Sequence, residues 1–240
     1  MPTIPPRDRL ILPLDVPSVA EAKQLVENLG DSVTFYKVGL QLASTPDGIG
    51  FAAALAASGK HVFLDMKLLD IENTVAGAVK SIAALGVTFV TIHAYPGAMR
   101  AAVEARGNAK LKLLGVTVLT SMDDADVAEA GYTATASELV TLRAAQAKEI
   151  GMDGVVASPA EAAAVRAVVG PDMAVVTPGI RTPGSATGDQ KRIATPTLAV
   201  RSGADYLVVG RSITADANPR AAADAVVEEI AAASKEPVEA

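Results

Sequence analysis

The chain has 240 residues, with no cysteine and no tryptophan. Without a thiol there is no disulfide, no thiolate nucleophile and no cysteine-ligated metal. Histidine is almost as scarce, with only His61 and His93, too few for a histidine-rich metal centre. No apolar run reaches the length of a membrane span, and the opening MPTIPPRDRL lacks the apolar core of a signal peptide. Positive charge is not in excess either. A net charge of −6 argues against a broad grip on nucleic acid or an anionic membrane, although a local group of Arg and Lys can still hold one small anion. These absences describe a soluble cytoplasmic protein with no nucleic-acid or membrane partner.

What is present is an alternation. Half of the residues are hydrophobic, and short β-branched runs alternate with Ala-rich amphipathic stretches from end to end. The runs at 10–15, 34–40, 61–67, 89–95, 113–120, 154–158, 174–180 and 206–210 read as strands. Ser18, Asp47, Asn73, Pro96, Ser137, Ser158, Thr195 and Asn218 then stand where helix caps or first turns belong. Near-continuous apolar strands imply burial on both faces and hence a parallel sheet. Eight strand–helix units count out an α/β fold, a single-domain (β/α)8 TIM barrel over residues 1–240 with a frayed tail at 234–240. An open doubly wound sheet is the alternative, but the first strand ends LPLDVPS, without the Gly-rich turn usual there. The segment RTPGSATGDQKR at 181–192 has the composition of a mobile lid, and the insert at 121–137 has room for a short extra helix.

The stretch FLDMKLLDIENT, Phe63 to Thr74, sets charges at the end of one of these apolar runs. Strand alternation puts Asp65 and Lys67 on one face, roughly 6 to 7 Å apart along the chain, with room for something between or above them. A structural ion pair at a strand end would account for that stretch by itself. The other strand ends argue for more: Asp15, Lys37, His93, Thr120 with Ser121, Ser158, Pro178 with Arg181, and Gly210 with Arg211. Barrel active sites are built at these ends, so the cluster points to an enzyme or a specific small-molecule binder. The amide of Gly210 and the side chain of Arg211 suit a phosphate, and Arg181 and Gln190 are able to close over it. His93, beside Tyr95, reads as a packed supporting residue.

With these residues assembled, the chain resembles the orotidine 5′-phosphate decarboxylase family along essentially its whole length. The resemblance is carried by DMKLLDIENT together with PLD at Asp15, KVG at Lys37, TIHAYPG, VLTS at Ser121, TPGIR at Arg181, DQKR at Gln190 and VVGRSI at Arg211. The Asp-x-Lys-x-x-Asp core alone is shared with related sugar-phosphate enzymes. The resemblance implies conversion of orotidine 5′-phosphate to UMP and CO2, the last step of de novo pyrimidine nucleotide synthesis, with no cofactor and no metal. It implies that Asp15 and Lys37 hold ribose hydroxyls, and that Lys37, Asp65, Lys67 and Asp70 of the partner subunit form an alternating charge network at the reacting carbon. Thr120 and Ser121 would meet the pyrimidine, with Pro178 also at the substrate. Gln190, Gly210 and Arg211 would hold the phosphate, with Arg181 nearby. Ile71 and Thr74 would come from the partner subunit, giving a homodimer with two shared sites. Two tasks stay open for Asp65: keeping Lys67 charged and oriented, or crowding the departing carboxylate. Two other readings remain, a magnesium-dependent sugar-phosphate decarboxylase or aldolase of the same barrel type and a non-catalytic barrel that binds a phosphorylated metabolite.

Overall fold

Side chains on both faces of the strands are buried, which a parallel sheet achieves either by carrying helices on both faces or by closing on itself beneath a single layer of helices. The computed structural model describes residues 4–182 and 194–235. Along these residues the order is β1 (Leu10–Pro13), α1 (Val19–Leu29), β2 (Phe35–Gly39), α2 (Leu40–Ala43), α3 (Gly48–Ala57), β3 (His61–Leu68) and α4 (Glu72–Ala83). There follow β4 (Phe89–His93), α5 (Pro96–Arg106), β5 (Lys112–Val116), α6 (Asp124–Glu129), α7 (Ala136–Ile150), β6 (Gly154–Val156) and α8 (Ala162–Val169). The chain ends with β7 (Ala174–Thr177), α9 (Pro196–Arg201), β8 (Tyr206–Val208), α10 (Arg211–Thr214) and α11 (Pro219–Ala233). The strands pair in chain order, all parallel, and β8 pairs back onto β1 to close the barrel. The open-sheet alternative is therefore excluded.

Two separate cores follow from this closure. Leu10, Leu12, Tyr36 and Val38 belong to the layer between strands and helices, whereas Ile11, Phe35, Phe63 and Phe89 fill the barrel interior. Aromatics are few, yet three of the four phenylalanines gather there with Tyr206. The ring centroids of Phe35 and Tyr206 lie 5.1 Å from Phe89, and that of Phe63 lies 6.0 Å away. Large rings plug the barrel with few side chains, so the interior is a packed core.

All eight expected strands exist, but most stop short of their expected ends; β5 ends at Val116 and β7 at Thr177. The residues beyond leave the ladder at the rim. Ser18, Thr195 and Asn218 cap α1, α9 and α11 with their side chains. Asn73, Pro96 and Ser137 lie in first turns, Thr135 being the cap that forms a capping box with Glu138. Ser158 departs from expectation: α8 starts later, behind Glu161, and the Ser158 hydroxyl instead donates to the buried Glu161 carboxylate. The insert after β5 does hold a short helix, α6, opened by a capping box at Asp123. Residues 183–193, which include all but the first two residues of the expected lid segment at 181–192, and the end of the tail, 236–240, lie outside the described residues. Among the described residues, no helix is long and apolar enough to cross a membrane.

Candidate active site

The strand ends open into a cavity of about 250 Å³ at the C-terminal mouth of the barrel. Asp15, Lys37, Asp65 and Lys67 line one side of it, and Pro178, Arg181, Gly210 and Arg211 line the side formed by β7 and β8. Thr120 lines it from the segment after β5, and Phe63, Val116, Val156 and Val208 form its apolar floor. These floor residues carry no chemical signal of their own in the sequence, where each looks like any apolar strand residue.

The charged side is an alternating chain. Lys37 Nζ lies 3.1 Å from Asp15 Oδ1 and 3.6 Å from Asp65 Oδ2, and Lys67 Nζ lies 2.8 Å from the same Asp65 oxygen. The gap expected between Asp65 and Lys67 is closed at the side-chain tips, because β3 is not a regular strand here. Its pairing with β4 runs Leu64↔Val90 and then Leu68↔Ile92, so Asp65, Met66 and Lys67 span the interval that Thr91 alone spans on β4. The excess residues form a bulge, from which Asp65 and Lys67 line the mouth cavity. Lys67 absorbs the turn with φ of 50°, among the described residues the one non-glycine in the left-handed region. Such a conformation costs about 1–3 kcal/mol and persists only where the surroundings enforce it.

Thr91, fully buried, faces this stretch from β4. Its Oγ1 accepts the Lys67 backbone N–H at 2.9 Å and donates to Asp65 Oδ1 at 2.9 Å. The sequence held no signal for it, since a threonine inside FVTIHAY looks like any strand residue. Burial alone would raise the Asp65 carboxyl. The charges of Lys37 and Lys67, with hydrogen bonds from Lys67 and Thr91, outweigh that and hold it below its ordinary value. Asp65 is therefore an anion at neutral pH, shared by two cations.

The remaining expected residues divide. Asp70, Ile71 and Thr74 are exposed and do not line the cavity; Asp70 instead accepts the Ile71 N–H at the start of α4. Ser121 is exposed and faces a neighbouring surface hollow, leaving Thr120 as the residue of that pair in the cavity. Gln190 lies outside the described residues. Gly210 brings the β8 backbone close to β1, where a Cβ would stand 3.0 Å from Pro13 Cγ. Among the described residues, no group of three His, Asp or Glu side chains is placed to hold a metal ion.

His93 lines a second, smaller cavity beside the first, with Tyr95, Tyr132 and Arg143. The Arg143 guanidinium stacks over both tyrosine rings, at 4.9 and 5.3 Å, and donates to Tyr132 Oη at 3.0 Å. It also donates to the carbonyl of Thr117, so α7 is tied to the segment that carries Thr120. Burial, then the positive charges of Lys67 and Arg143, hold the His93 imidazole below its ordinary value, so it is neutral at pH 7.

The profile of the orotidine 5′-phosphate decarboxylase / HUMPS family matches residues 8–226. An orotidine 5′-phosphate decarboxylase of Rhodopseudomonas palustris (strain BisA53) is 59% identical over 228 residues, 95% of this chain and 97% of that protein. One of Afipia carboxidovorans is 58% identical over 228 residues, with 95% and 97% covered. The crystal structure of orotidine 5′-phosphate decarboxylase from Lactobacillus acidophilus superposes with a TM-score of 0.82 at 35% identity, covering 93% of this chain and 99% of that one. Barrel, charged mouth and whole-length similarity agree, and the chain belongs to the orotidine 5′-phosphate decarboxylase / HUMPS family.

Proposed function

We propose that this protein decarboxylates orotidine 5′-phosphate to UMP and CO2, the closing step of de novo pyrimidine nucleotide synthesis. The observation that carries the reading is the unbroken Asp15–Lys37–Asp65–Lys67 charge chain at the mouth of the barrel. Cleaving the bond between C6 and its carboxylate leaves an electron pair in the plane of the pyrimidine, where the ring π system cannot delocalise it. The compensating positive charge has to be in place beforehand. On this reading Lys67 supplies it and then delivers an N–H proton to C6, and the amine regains its proton from solvent. Asp65 keeps the ammonium charged and aimed, while Asp15 and Lys37 take the ribose hydroxyls. Arg211, Gly210 and Arg181 take the phosphate, whose binding energy is used at the distant reacting carbon.

The family also contains sugar-phosphate enzymes, and Lys37 argues against that chemistry. Its ammonium occupies the space between the Asp15 and Asp65 carboxylates, where it would repel a divalent cation. A mere sensor of phosphorylated metabolites would need Arg211 but not the charge chain.

The same reading makes the enzyme a homodimer with shared sites. Leu40, Leu69, Ile71 and Tyr95, at the adjacent ends of β2, β3 and β4, are 52%, 51%, 72% and 39% exposed, and an apolar rim of this kind is suited to a second copy. Asp70, Ile71 and Thr74, turned away from their own cavity, would then complete the partner's. A nucleotide phosphate does not cross membranes unaided, which puts the enzyme in the cytoplasm. The test is to mix purified protein with orotidine 5′-phosphate and follow the fall in ultraviolet absorbance together with CO2 release. No turnover, or turnover abolished by a chelator, overturns the reading.

A further inference from the structure

We propose that Thr91 is a positioning residue of this site, its one hydroxyl fixing the Asp65 carboxylate and the Lys67 backbone to each other across the β3 bulge. The inference rests on the decarboxylase reading for its catalytic meaning. Its structural basis is the three-against-one count between β3 and β4, which puts Thr91 alone opposite Asp65, Met66 and Lys67. In a regular ladder, backbone groups of the facing strand would hold that stretch. Here the ladder is interrupted, and a side chain takes over.

A hydroxyl has one proton to give and lone pairs to accept with. The Lys67 N–H, 2.9 Å away, occupies an acceptor position, and the proton goes to Asp65 Oδ1, also at 2.9 Å. With Oδ1 engaged, the carboxylate plane is set and Oδ2 is left to the two ammonium groups at 2.8 and 3.6 Å. The same hydroxyl restrains the φ 50° turn that aims the Lys67 side chain at the mouth. Without it, the carboxylate can rotate about its χ2 and the bulge can relax, and both movements displace the Lys67 ammonium from where negative charge would develop. Misplacements of about 1 Å cost on the order of 100-fold in rate. Thr91 is fully buried, so water cannot stand in for the lost hydroxyl without a cavity being made for it.

The experiment compares Thr91→Val, which keeps the shape and loses the hydroxyl, with Thr91→Ser, which keeps the hydroxyl and loses the methyl. We expect Thr91→Val to lower kcat roughly 10- to 100-fold with KM within about threefold, because the proposed phosphate residues, which follow β7 and β8, are untouched. Thr91→Ser should stay within about threefold of wild type in both. A purely packing role predicts the reverse order. An activity-independent arm follows the Asp65 side-chain carboxyl by carbon-13 NMR across pH: its midpoint should rise in Thr91→Val and not in Thr91→Ser. Should Thr91→Val not fold, Thr91→Ala carries the same contrast with Thr91→Ser. The proposal is overturned if the hydroxyl-free variant matches wild type in turnover and titration, or if Thr91→Ser is as damaged as Thr91→Val. Wild-type protein inert towards orotidine 5′-phosphate would sink the decarboxylase reading, while the carboxyl titration still decides on Thr91.

Discussion

Lys67 combines a strained backbone, a short ion pair to Asp65 and a place in the lining of the cavity. Were it only a structural cation, truncation would leave turnover of the folded protein intact. On the proposed mechanism it is the charge and proton source and has no substitute, so Lys67→Ala is expected to lower turnover by at least about 1000-fold, with UMP affinity within about tenfold of wild type. Single-turnover absorbance and calorimetric titration with UMP measure the two quantities, and retention of a tenth of wild-type turnover would remove Lys67 from the mechanism. Gly39 is a second residue-scale case. A Cβ there would stand 2.8 Å from Lys37 Nζ and 3.5 Å from Asp15 Oδ1, while its φ of −94° suits any residue. Gly39→Ala should therefore cost stability less than about 1 kcal/mol, since a flexible side-chain end can move aside. It should nevertheless lower kcat/KM at least about tenfold, because that end is the Lys37 ammonium.

At the scale of elements, one device appears twice at the opposite end of the barrel. Asp153, just before β6, accepts the Leu113 N–H of β5 at 2.8 Å and pairs with Arg106 of α5. Asp205, just before β8, accepts the Val175 N–H of β7 at 2.8 Å and pairs with Arg166 of α8. Each aspartate thus pins the start of the neighbouring strand to the helix that leads into it, two strand–helix units apart. Asp205→Ala removes the acceptor of the Val175 N–H and the counter-charge of Arg166, which keeps its bonds to the carbonyls of Gly170, Met173 and Gly203, at a cost of about 1–3 kcal/mol. A lower urea midpoint at unchanged slope, with kcat intact, is the expected result; a loss of turnover in fully folded protein would show that this end of the barrel communicates with the mouth.

At the scale of the whole molecule, the question is which cavity Asp70 serves. It is exposed, outside its own cavity and beside the apolar rim. With shared sites, Lys67→Ala and Asp70→Ala proteins are each nearly inactive, yet a heterodimer holds one doubly damaged site and one wild-type site. Random 1:1 reassortment yields about half heterodimers, so roughly a quarter of sites should recover. Co-expression with two tags, isolation of the mixed dimer and a decarboxylation assay provide the measurement. Mixed dimers without activity would assign Asp70 to its own subunit or to no catalytic role.

The periodicity of apolar runs determined the eight-fold alternation and hence the barrel, because a residue's preference for the space between sheet and helices is local and additive along a strand. The polar character of the strand ends likewise announced Asp15, Lys37, Asp65, Lys67, Thr120, Arg181 and Arg211, since a charge that terminates an apolar run has to have a reason to be there. Closure was implied by number, but which side chains meet across it was not. Thr91 and the interior rings Phe35, Phe63, Phe89 and Tyr206 acquired their partners only from strand register, and register is set by packing between segments tens of residues apart. The bulge at Asp65–Lys67 was equally hidden: strict alternation of faces predicts a gap, whereas the three-against-one mismatch with β4, fixed by the closed barrel, breaks the alternation and lets the ammonium meet the carboxylate.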